Sequence, residues 1–258
     1  MELKKIDGIA FAAGRWPLSP DLPTLVFIHG SGGTGGMWRD QVRALSFLVN
    51  TLAIDLPGHG RSDGDGMDFV KGYAEVVSGF VGKLELPKPV ACGLSLGGAI
   101  VQQLLLDYAD PLQAGILVST GARLKVMPEL LETVESDYGQ FVSLYEKIGF
   151  SGKTDRERLK SVLAETSACR PAVTAGDFRA CDRFDVMDRL REIDLPVLVI
   201  SASDDRLTPP HYSDYLQKHI RRSARTRVKD AGHMVPVEKP AAVTSAIVDF
   251  LDSVAAGF

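Results

Sequence analysis

Short apolar segments alternate along this chain with amphipathic segments of helix length, and this alternation constrains the fold more than any other feature. Parallel strands need a long crossover connection, so the pattern is typical of βαβ units in a mostly parallel sheet. Six segments rich in Val, Ile and Leu are predicted as strands: Leu25–His29, Thr51–Asp55, Val90–Leu94, Ala114–Ser119, Pro196–Ser201 and Arg225–Lys229. Helical periodicity lies near residues 37–48, 68–85, 96–109, 210–220 and 239–254. The first dozen residues alternate in polarity, which predicts an antiparallel edge strand or hairpin.

One stretch interrupts the alternation. Residues 121–191 have helical periodicity and no convincing strand, which predicts a core of residues 1–120 and 192–258 with a helical insertion between them. Five side chains of the insertion fall at helical spacing and would form one apolar stripe: Tyr138, Phe141, Leu144, Tyr145 and Ile148. Two interpretations stay open, because the stripe could be the core of the insertion or could line a pocket beneath a helical cap.

Composition and charge describe one soluble domain. A chain of 258 residues, 45% of them hydrophobic, can bury a single large core. The net charge of −4 and the lack of a basic stripe disfavour nucleic-acid binding. No apolar run approaches the roughly 20 residues of a membrane span, and the charged start Met1–Lys5 is followed by no signal-peptide core. The widely spaced Cys92, Cys169 and Cys181 indicate reduced thiols. We expect a cytoplasmic protein that does not bind membranes; its oligomeric state is left open.

The pentapeptide Gly93-Leu94-Ser95-Leu96-Gly97 has the pattern G-x-S-x-G and stands directly between a predicted strand and a predicted helix. This setting is typical of a nucleophile elbow, a strained turn that lifts a serine hydroxyl clear of the sheet. Neighbouring side chains would clash in such a turn, which explains the two glycines. The helix N-terminus beside it favours developing negative charge. Ser95 is therefore the candidate nucleophile.

A second glycine-rich segment, His29-Gly30-Ser31-Gly32-Gly33, follows the first buried strand. Its backbone can approach a substrate oxygen closely, and the N–H groups of Ser31 and Leu96 together would form an oxyanion hole. Phosphate binding is disfavoured, since the chain has neither the P-loop pattern nor a G-x-G-x-x-G opening a helix. His29 is interpreted as bracing the loop through hydrogen bonds.

A serine nucleophile needs a base, and the chain has five histidines. His59 lies in the turn Asp55–Ser62, whose composition is explained by geometry, and is interpreted as structural. His211 and His219 lie on a helical pattern and are expected to face solvent. His233 follows the last predicted strand in a loop that can reach across to the serine, and it is the candidate base.

The acid that orients the base is sought in the loop after Pro196–Ser201, where Asp204 and Asp205 are adjacent. Adjacent loop residues generally point in different directions. One aspartate should therefore face His233 and the other solvent or a backbone cap. This reasoning alone leaves the choice open.

These motifs, in this order, resemble the α/β-hydrolase superfamily, and the resemblance covers essentially the whole chain. The order Ser, Asp, His along the sequence is that of the superfamily. Relatives usually place the acid four residues before a proline, which selects Asp205 through Pro209. The resemblance also maps an oxyanion N–H to Ser31. It implies an α/β-hydrolase fold with a mostly parallel eight-stranded sheet flanked by helices and a helical cap insertion over 121–191. A glycine usual three residues before the acid is Ala202 here.

The expected activity is carboxylesterase-like hydrolysis of a small to medium carboxylic ester through an acyl-enzyme on Ser95, with no cofactor or metal required. The alternatives are a carbon–carbon bond hydrolase of ring-cleavage products, an enol-lactone hydrolase, a cofactor-free haloperoxidase and a non-catalytic ligand receptor. The carbon–carbon hydrolases usually carry a proline where this chain has Gly33 and a tryptophan where it has Met234. Both departures favour the ester reaction.

The substrate pocket is the least constrained part of the prediction. Four aromatic side chains of the insertion are candidates to line an apolar pocket or to pack within the insertion: Phe141, Tyr145, Phe150 and Phe178. Arg170 and Arg179 are candidates for a substrate carboxylate, although a solvated surface position is favoured.

Overall fold

A computed structural model describes all residues, 1–258, as an eight-stranded sheet flanked by helices. The strands are β1 Glu2–Ile6, β2 Ile9–Ala13, β3 Thr24–Ile28, β4 Asn50–Ile54, β5 Pro89–Leu94, β6 Ala114–Val118, β7 Val197–Ala202 and β8 Ser223–Val228. The helices are α1 Arg39–Leu45, α2 Val70–Lys83, α3 Leu96–Asp107, α4 Pro128–Ser136, α5 Tyr138–Gly149, α6 Arg156–Ala168, α7 Pro171–Arg183, α8 Pro210–His219, α9 Val235–Glu238 and α10 Pro240–Ala255. Short 3₁₀ helices cover Gly35–Trp38 and Met187–Glu192.

The strand order is β1-β2-β4-β3-β5-β6-β7-β8. The last six strands in this order, which include β3, all pair in parallel. The N-terminal residues form the antiparallel edge hairpin that their alternation predicts, with Asp7 and Gly8 at positive φ in its turn. This is the Asp-Gly chemistry that a two-residue hairpin loop requires. The predicted α/β fold with a mostly parallel sheet is therefore confirmed.

Both faces of the sheet are covered by apolar side chains, as a parallel sheet demands. All five residues of β3 are buried. Leu25 and Phe27 belong to the apolar cluster shared with α1 and α10, whereas Val26 and Ile28 belong to the cluster shared with α2 and α3. The period of two along the strand thus divides one continuous apolar segment between two layers.

The predicted strand bounds are shifted by a residue at several ends. β3 begins at Thr24 and β4 at Asn50, two polar residues that are buried and paired in the sheet. His29 and Asp55, predicted as the last residues of these strands, lie just beyond them. An apolar pattern cannot include buried polar residues at a strand start, which explains the shift.

Four helices, α4 to α7, form the segment between β6 and β7. No strand occurs there, as the periodicity predicts; a single bridge joins Arg123 to Asp185 where the chain enters and leaves the segment. Of the predicted apolar stripe, Phe141 and Tyr145 are buried and stack with their rings 6.0 Å apart. No helix of the protein is long and apolar enough to cross a membrane.

Candidate active site

Ser95 occupies the turn between β5 and α3 with φ +54°, a left-handed conformation that costs energy for a residue with a side chain. A Cβ atom at Gly93 would lie 2.0 Å from the Gly97 carbonyl oxygen, and one at Gly97 would lie 2.4 Å from the Ile28 carbonyl oxygen. Only glycine at both positions lets the turn pass this closely between strand and helix. The pentapeptide therefore has the geometry that the elbow hypothesis requires.

Two hydrogen bonds hold the backbone of this turn. The Ser95 N–H donates to the Val118 carbonyl at 2.9 Å, and the Thr120 hydroxyl donates to the Ser95 carbonyl at 2.9 Å. Leu96 is the first residue of α3, so its N–H has no acceptor within the helix. The turn thus presents a serine hydroxyl beside a free helix N-terminus.

His233 is only 3% exposed and lies in the loop after β8. Its Nδ1 is 3.1 Å and 3.0 Å from the two carboxylate oxygens of Asp205. The same carboxylate accepts the N–H groups of Leu207 and Thr208 at 2.9 Å and 2.8 Å, and the Thr208 hydroxyl at 2.7 Å. Asp205 therefore fixes one nitrogen of the imidazole and leaves Nε2 free.

The two adjacent aspartates point in different directions, as loop geometry predicts. Asp204 accepts hydrogen bonds from the hydroxyls of Ser151 and Ser203, both at 2.7 Å, and does not contact the histidine. Burial raises the pKa of Asp205, but the charge and hydrogen bond of His233 and the donors of Thr208 outweigh it, so the pKa lies below its usual value. Asp205 is thus held as a carboxylate.

Ser95 and His233 line one cavity of about 240 Å³, together with Gly30 and Ser31 of the glycine-rich loop. No hydrogen bond joins the Ser95 hydroxyl to the imidazole in this conformation. The glycine-rich loop also lies against the serine: a Cβ at Gly30 would be 3.4 Å from the Ser95 Cβ. The N–H of Ser31 makes no hydrogen bond within the protein, which leaves it available to a ligand.

His29 braces the glycine-rich loop. Its Nε2 accepts the Leu56 N–H at 3.0 Å, so the ring proton lies on Nδ1 and is donated to the Gly30 carbonyl at 2.8 Å. Burial, followed by the charge of His59, lowers the pKa of His29 to about 3. The ring is therefore neutral, and its contacts are those of the predicted structural role.

His59 has a role beyond the turn geometry that its sequence setting suggests. It is buried and its Nε2 lies 2.8 Å from a carboxylate oxygen of Asp177 on α7. Burial lowers the pKa of His59, but the charge and hydrogen bond of Asp177 outweigh it and raise the pKa above its usual value. Asp177 also accepts the Tyr73 hydroxyl at 2.6 Å and the Gly32 N–H at 2.9 Å.

The loop that carries His233 is anchored by a second buried carboxylate, Glu238. It accepts the Gly232 N–H at 3.0 Å and the Ser151 N–H at 2.9 Å, and it also accepts the Thr154 hydroxyl. Ser151 and Thr154 lie between α5 and α6, so Glu238 joins the helical insertion to the histidine loop.

The cavity is mostly apolar, and 10 of its 19 lining residues are hydrophobic. Tyr145 and Phe178 line it, whereas Phe141 and Phe150, the other two aromatic candidates, do not. His211, expected to face solvent, is exposed and also lines the cavity, and His219 is half-buried on α8.

The two arginine candidates for a substrate carboxylate lie away from the cavity. Arg170 pairs with Asp65 at 2.8 Å and Arg179 pairs with Glu135, so both occupy the solvated surface positions that the sequence favours. Cys92 is fully buried in β5, and burial raises the pKa of its thiol well above the usual value. No group of three or more His, Cys, Asp or Glu side chains is placed to hold a metal ion.

Asp177 and Glu238 are the site residues that sequence reasoning missed. Asp177 lies four residues after Val173 and four before Cys181, both buried, so it falls on the apolar face of its helix. An acid at such a position must have a partner. That signal is present in the sequence, but the identity of the partner cannot be read from it.

This chain is similar in sequence and structure to known proteins. A model of the alpha/beta hydrolase family matches residues 25–246. The pimeloyl-(acyl-carrier protein) methyl ester esterase of Nitrosomonas europaea is 26% identical over 228 residues, covering 82% of this chain and 88% of that protein. The 3-oxoadipate enol-lactonase 1 of Acinetobacter baylyi is 27% identical over 239 residues, covering 90% of each chain. A solved thermophilic esterase is 33% identical with a TM-score of 0.85, covering 98% of this chain and 97% of that one.

The chain belongs to the alpha/beta hydrolase family. The predicted family, the predicted fold and the expectation that the protein is an enzyme of this class are confirmed.

The opposite pKa shifts of His29 and His59 predict a pH dependence of stability. The pKa of His29 is lowered, so the free energy of unfolding rises as pH increases from about 3 to 6.5. The pKa of His59 is raised, so its contribution to the free energy of unfolding is fully present below about pH 6.5. That contribution is lost as pH rises through the folded-state pKa, by up to about 1.4 kcal/mol per pH unit. Urea unfolding of wild type and His59→Gln at a series of pH values measures both slopes.

His59→Gln should flatten the decline above pH 6.5. His219→Gln, on α8 outside this network, is the control and should retain the decline. Equal slopes in wild type and His59→Gln would show that His59 is not the titrating group.

Proposed function

We propose that this protein is a serine hydrolase that cleaves small to medium carboxylic esters through an acyl-enzyme intermediate. The observation that carries the proposal is the shared cavity: Ser95 and His233 line it, and Asp205 binds the imidazole nitrogen on the far side. The relatives named as esterases support the same bond type.

In the first step His233 Nε2 takes the proton of Ser95 as the serine oxygen attacks the ester carbonyl. Asp205 keeps the remaining proton on Nδ1 and stabilises the imidazolium that forms. The missing hydrogen bond between serine and imidazole is compatible with this step, because such contacts often tighten only when substrate binds. His233 then protonates the leaving alcohol.

The tetrahedral oxyanion is stabilised by the N–H groups of Ser31 and Leu96. Both are backbone donors held in place by the folded chain, so they need no reorganisation during the reaction. Loss of one such donor typically costs about a hundredfold to a thousandfold in rate. Water then repeats the sequence on the acyl-enzyme and releases the acid, with no cofactor or metal involved.

Residues 121–191 act as a cap over a core of residues 1–120 and 192–258. This division rests on where the cavity lies, since its wall includes side chains of both parts. The cap contributes seven apolar or weakly polar residues to the wall: Leu124, Val126, Met127, Leu130, Tyr145, Phe178 and Cys181. The volume of about 240 Å³ lies just below the roughly 300–1,000 Å³ typical of ligand sites, which favours a small or medium ester.

Enol-lactone hydrolysis is the second candidate. A lactone is a cyclic ester, so the same attack and oxyanion stabilisation open its ring. The relative from Acinetobacter baylyi that is named as an enol-lactonase covers 90% of this chain and supports this candidate.

The charge at the rim of the cavity points to the kind of ester. Lys125, Arg206 and His211 line the cavity, and no Asp or Glu does. Arg206 is exposed and makes no ion pair, whereas Lys125 donates to the Asp182 carbonyl at 2.8 Å and pairs with the Asp182 carboxylate at 3.5 Å. A substrate with an anionic group distant from its ester would meet a complementary rim.

We further propose that the protein is cytoplasmic, since its three cysteines are free.

Hydrolysis of p-nitrophenyl acetate, butyrate and octanoate tests the nucleophile. We expect wild type to turn over, with butyrate preferred to octanoate because the cavity is small. Ser95→Ala should lose at least about a thousandfold in kcat while remaining folded. Ser201→Ala is the control, because its hydroxyl is buried in β7 without a partner. Equal activity of wild type and Ser95→Ala would reject Ser95 as the nucleophile.

Monomethyl glutarate and dimethyl glutarate form a matched anionic and neutral pair that tests the rim. We expect Arg206→Gln to lower kcat/KM for the anionic ester by about twofold to fivefold, the size of one partly exposed ion pair, and to leave the neutral ester unchanged. The difference should shrink at high salt. Arg43→Gln, at an exposed site on α1, is the control. Equal effects on both esters would exclude a charge-specific role.

A further inference from the structure

One buried charge of the helical insertion has no part in the steps above. Asp177 lies on α7 and its side chain is 0% exposed. Burying an ionised carboxylate is costly unless it is paired and hydrogen-bonded, so its partners indicate what it holds.

The three donors to Asp177 come from three separate parts of the core. Oδ2 accepts the Gly32 N–H at 2.9 Å and lies 2.8 Å from His59 Nε2, and Oδ1 accepts the Tyr73 hydroxyl at 2.6 Å. Gly32 follows β3, His59 follows β4 and Tyr73 lies on α2. One side chain of the insertion thus gathers three core elements around a single charge.

The contact with Gly32 bears directly on the oxyanion loop. Ser31, whose N–H is the proposed oxyanion donor, lies between Gly30 and Gly32. The Gly30 carbonyl accepts from His29 at 2.8 Å and from the Gly33 N–H at 3.1 Å. Gly32 has φ +63°, a conformation that few residues adopt, and its N–H is held by Asp177. Both neighbours of Ser31 are therefore fixed, one by the core and one by the insertion.

We propose that Asp177 is a positioning residue of the hydrolase reaction, which holds Gly32 so that the Ser31 N–H points at the developing oxyanion. The inference rests on the proposed function. A charge-assisted hydrogen bond from a carboxylate is stronger and more directional than one from a neutral group, which suits a loop that must not rotate. His59 shares Oδ2 with the Gly32 N–H and Tyr73 donates to Oδ1, so both oxygens of the carboxylate are held in place.

A positioning role and a purely structural role predict different kinetics. If Asp177 only stabilises the fold, its loss lowers the melting temperature and the fraction of competent protein, while each competent molecule works normally. If it positions the oxyanion donor, its loss lowers kcat per competent molecule and leaves KM nearly unchanged. The reason is that the oxyanion exists only in the transition state.

The experiment compares Asp177→Ala, Asp177→Asn and wild type with p-nitrophenyl butyrate, after end-point labelling with a fluorophosphonate to count competent sites. We expect Asp177→Ala to lower kcat per site by about tenfold to a hundredfold, which is a smaller loss than removal of an oxyanion donor causes. Its KM should stay within about twofold of the wild-type value. Asp177→Asn keeps one acceptor for Gly32 and should recover part of kcat. The affinity of butylboronic acid, whose adduct with the serine carries a tetrahedral oxyanion, should fall in proportion to kcat.

Val173→Ala is the matched control, because Val173 is buried on the same helix, packs against Gly66 and does not line the cavity. It should destabilise the protein and keep kcat per site. Should Asp177→Ala fail to fold, Asp177→Asn carries the test, with a loss of at least about threefold in both kcat and boronate affinity supporting the proposal.

Unchanged kcat per site in the Asp177 variants, or a fall in kcat with unchanged boronate affinity, overturns the positioning role. Wild type that neither hydrolyses the ester nor binds the boronate overturns the proposed function instead. The two failures are therefore distinguishable.

Discussion

Main-chain atoms of β3, β5 and α3 meet beneath Ser95 at distances that leave no room for a side chain, and the geometry of the site depends on this crossing. Gly93 and Gly97 are the residues at the contact. The close approach holds Ser95 at positive φ and brings the loop after β3 against it. Because the strands are parallel, the loops after β3, β5, β7 and β8 all leave the same edge of the sheet. The crossing therefore decides where these loops converge.

Buried carboxylates then hold the convergent loops by their backbone N–H groups. Asp177 accepts from Gly32 after β3, Asp205 accepts from Thr208 after β7, and Glu238 accepts from Gly232 after β8. Loops carry polar backbone groups that must be satisfied wherever they are buried. A carboxylate does this with a stronger bond than a carbonyl, so each of these three loops has a charged anchor.

Two of these anchors also join the helical insertion to the core. Asp177 is itself part of the insertion, and Glu238 accepts the N–H of Ser151 between α5 and α6. The insertion thus contacts both the glycine-rich loop after β3 and the histidine loop through buried charges. In the proposed mechanism the insertion forms part of the wall of the substrate cavity and at the same time sets the geometry of the loops beneath it.

Sequence reasoning succeeded where the constraint is local and failed where it depends on a distant partner. The strand pattern, the glycines around Ser95 and the loop positions of Asp205 and His233 follow from residues close together in the chain. The pairing of Asp177 with His59 joins positions 118 residues apart, and no local pattern specifies it. Helical spacing likewise placed Phe141 and Tyr145 on one face, yet only Tyr145 lines the cavity. Periodicity identifies a buried face without distinguishing a cavity wall from packed interior.

The proposed mechanism requires a covalent acyl group on Ser95 during turnover. The most direct measurement is acid quenching of wild-type protein during steady-state hydrolysis of p-nitrophenyl butyrate, followed by peptide mass spectrometry with fragmentation. We predict one butanoyl group, located by fragment ions at Ser95 and absent from Ser95→Ala. A butanoyl group on another residue, or sustained turnover with no acylated peptide, would contradict the mechanism.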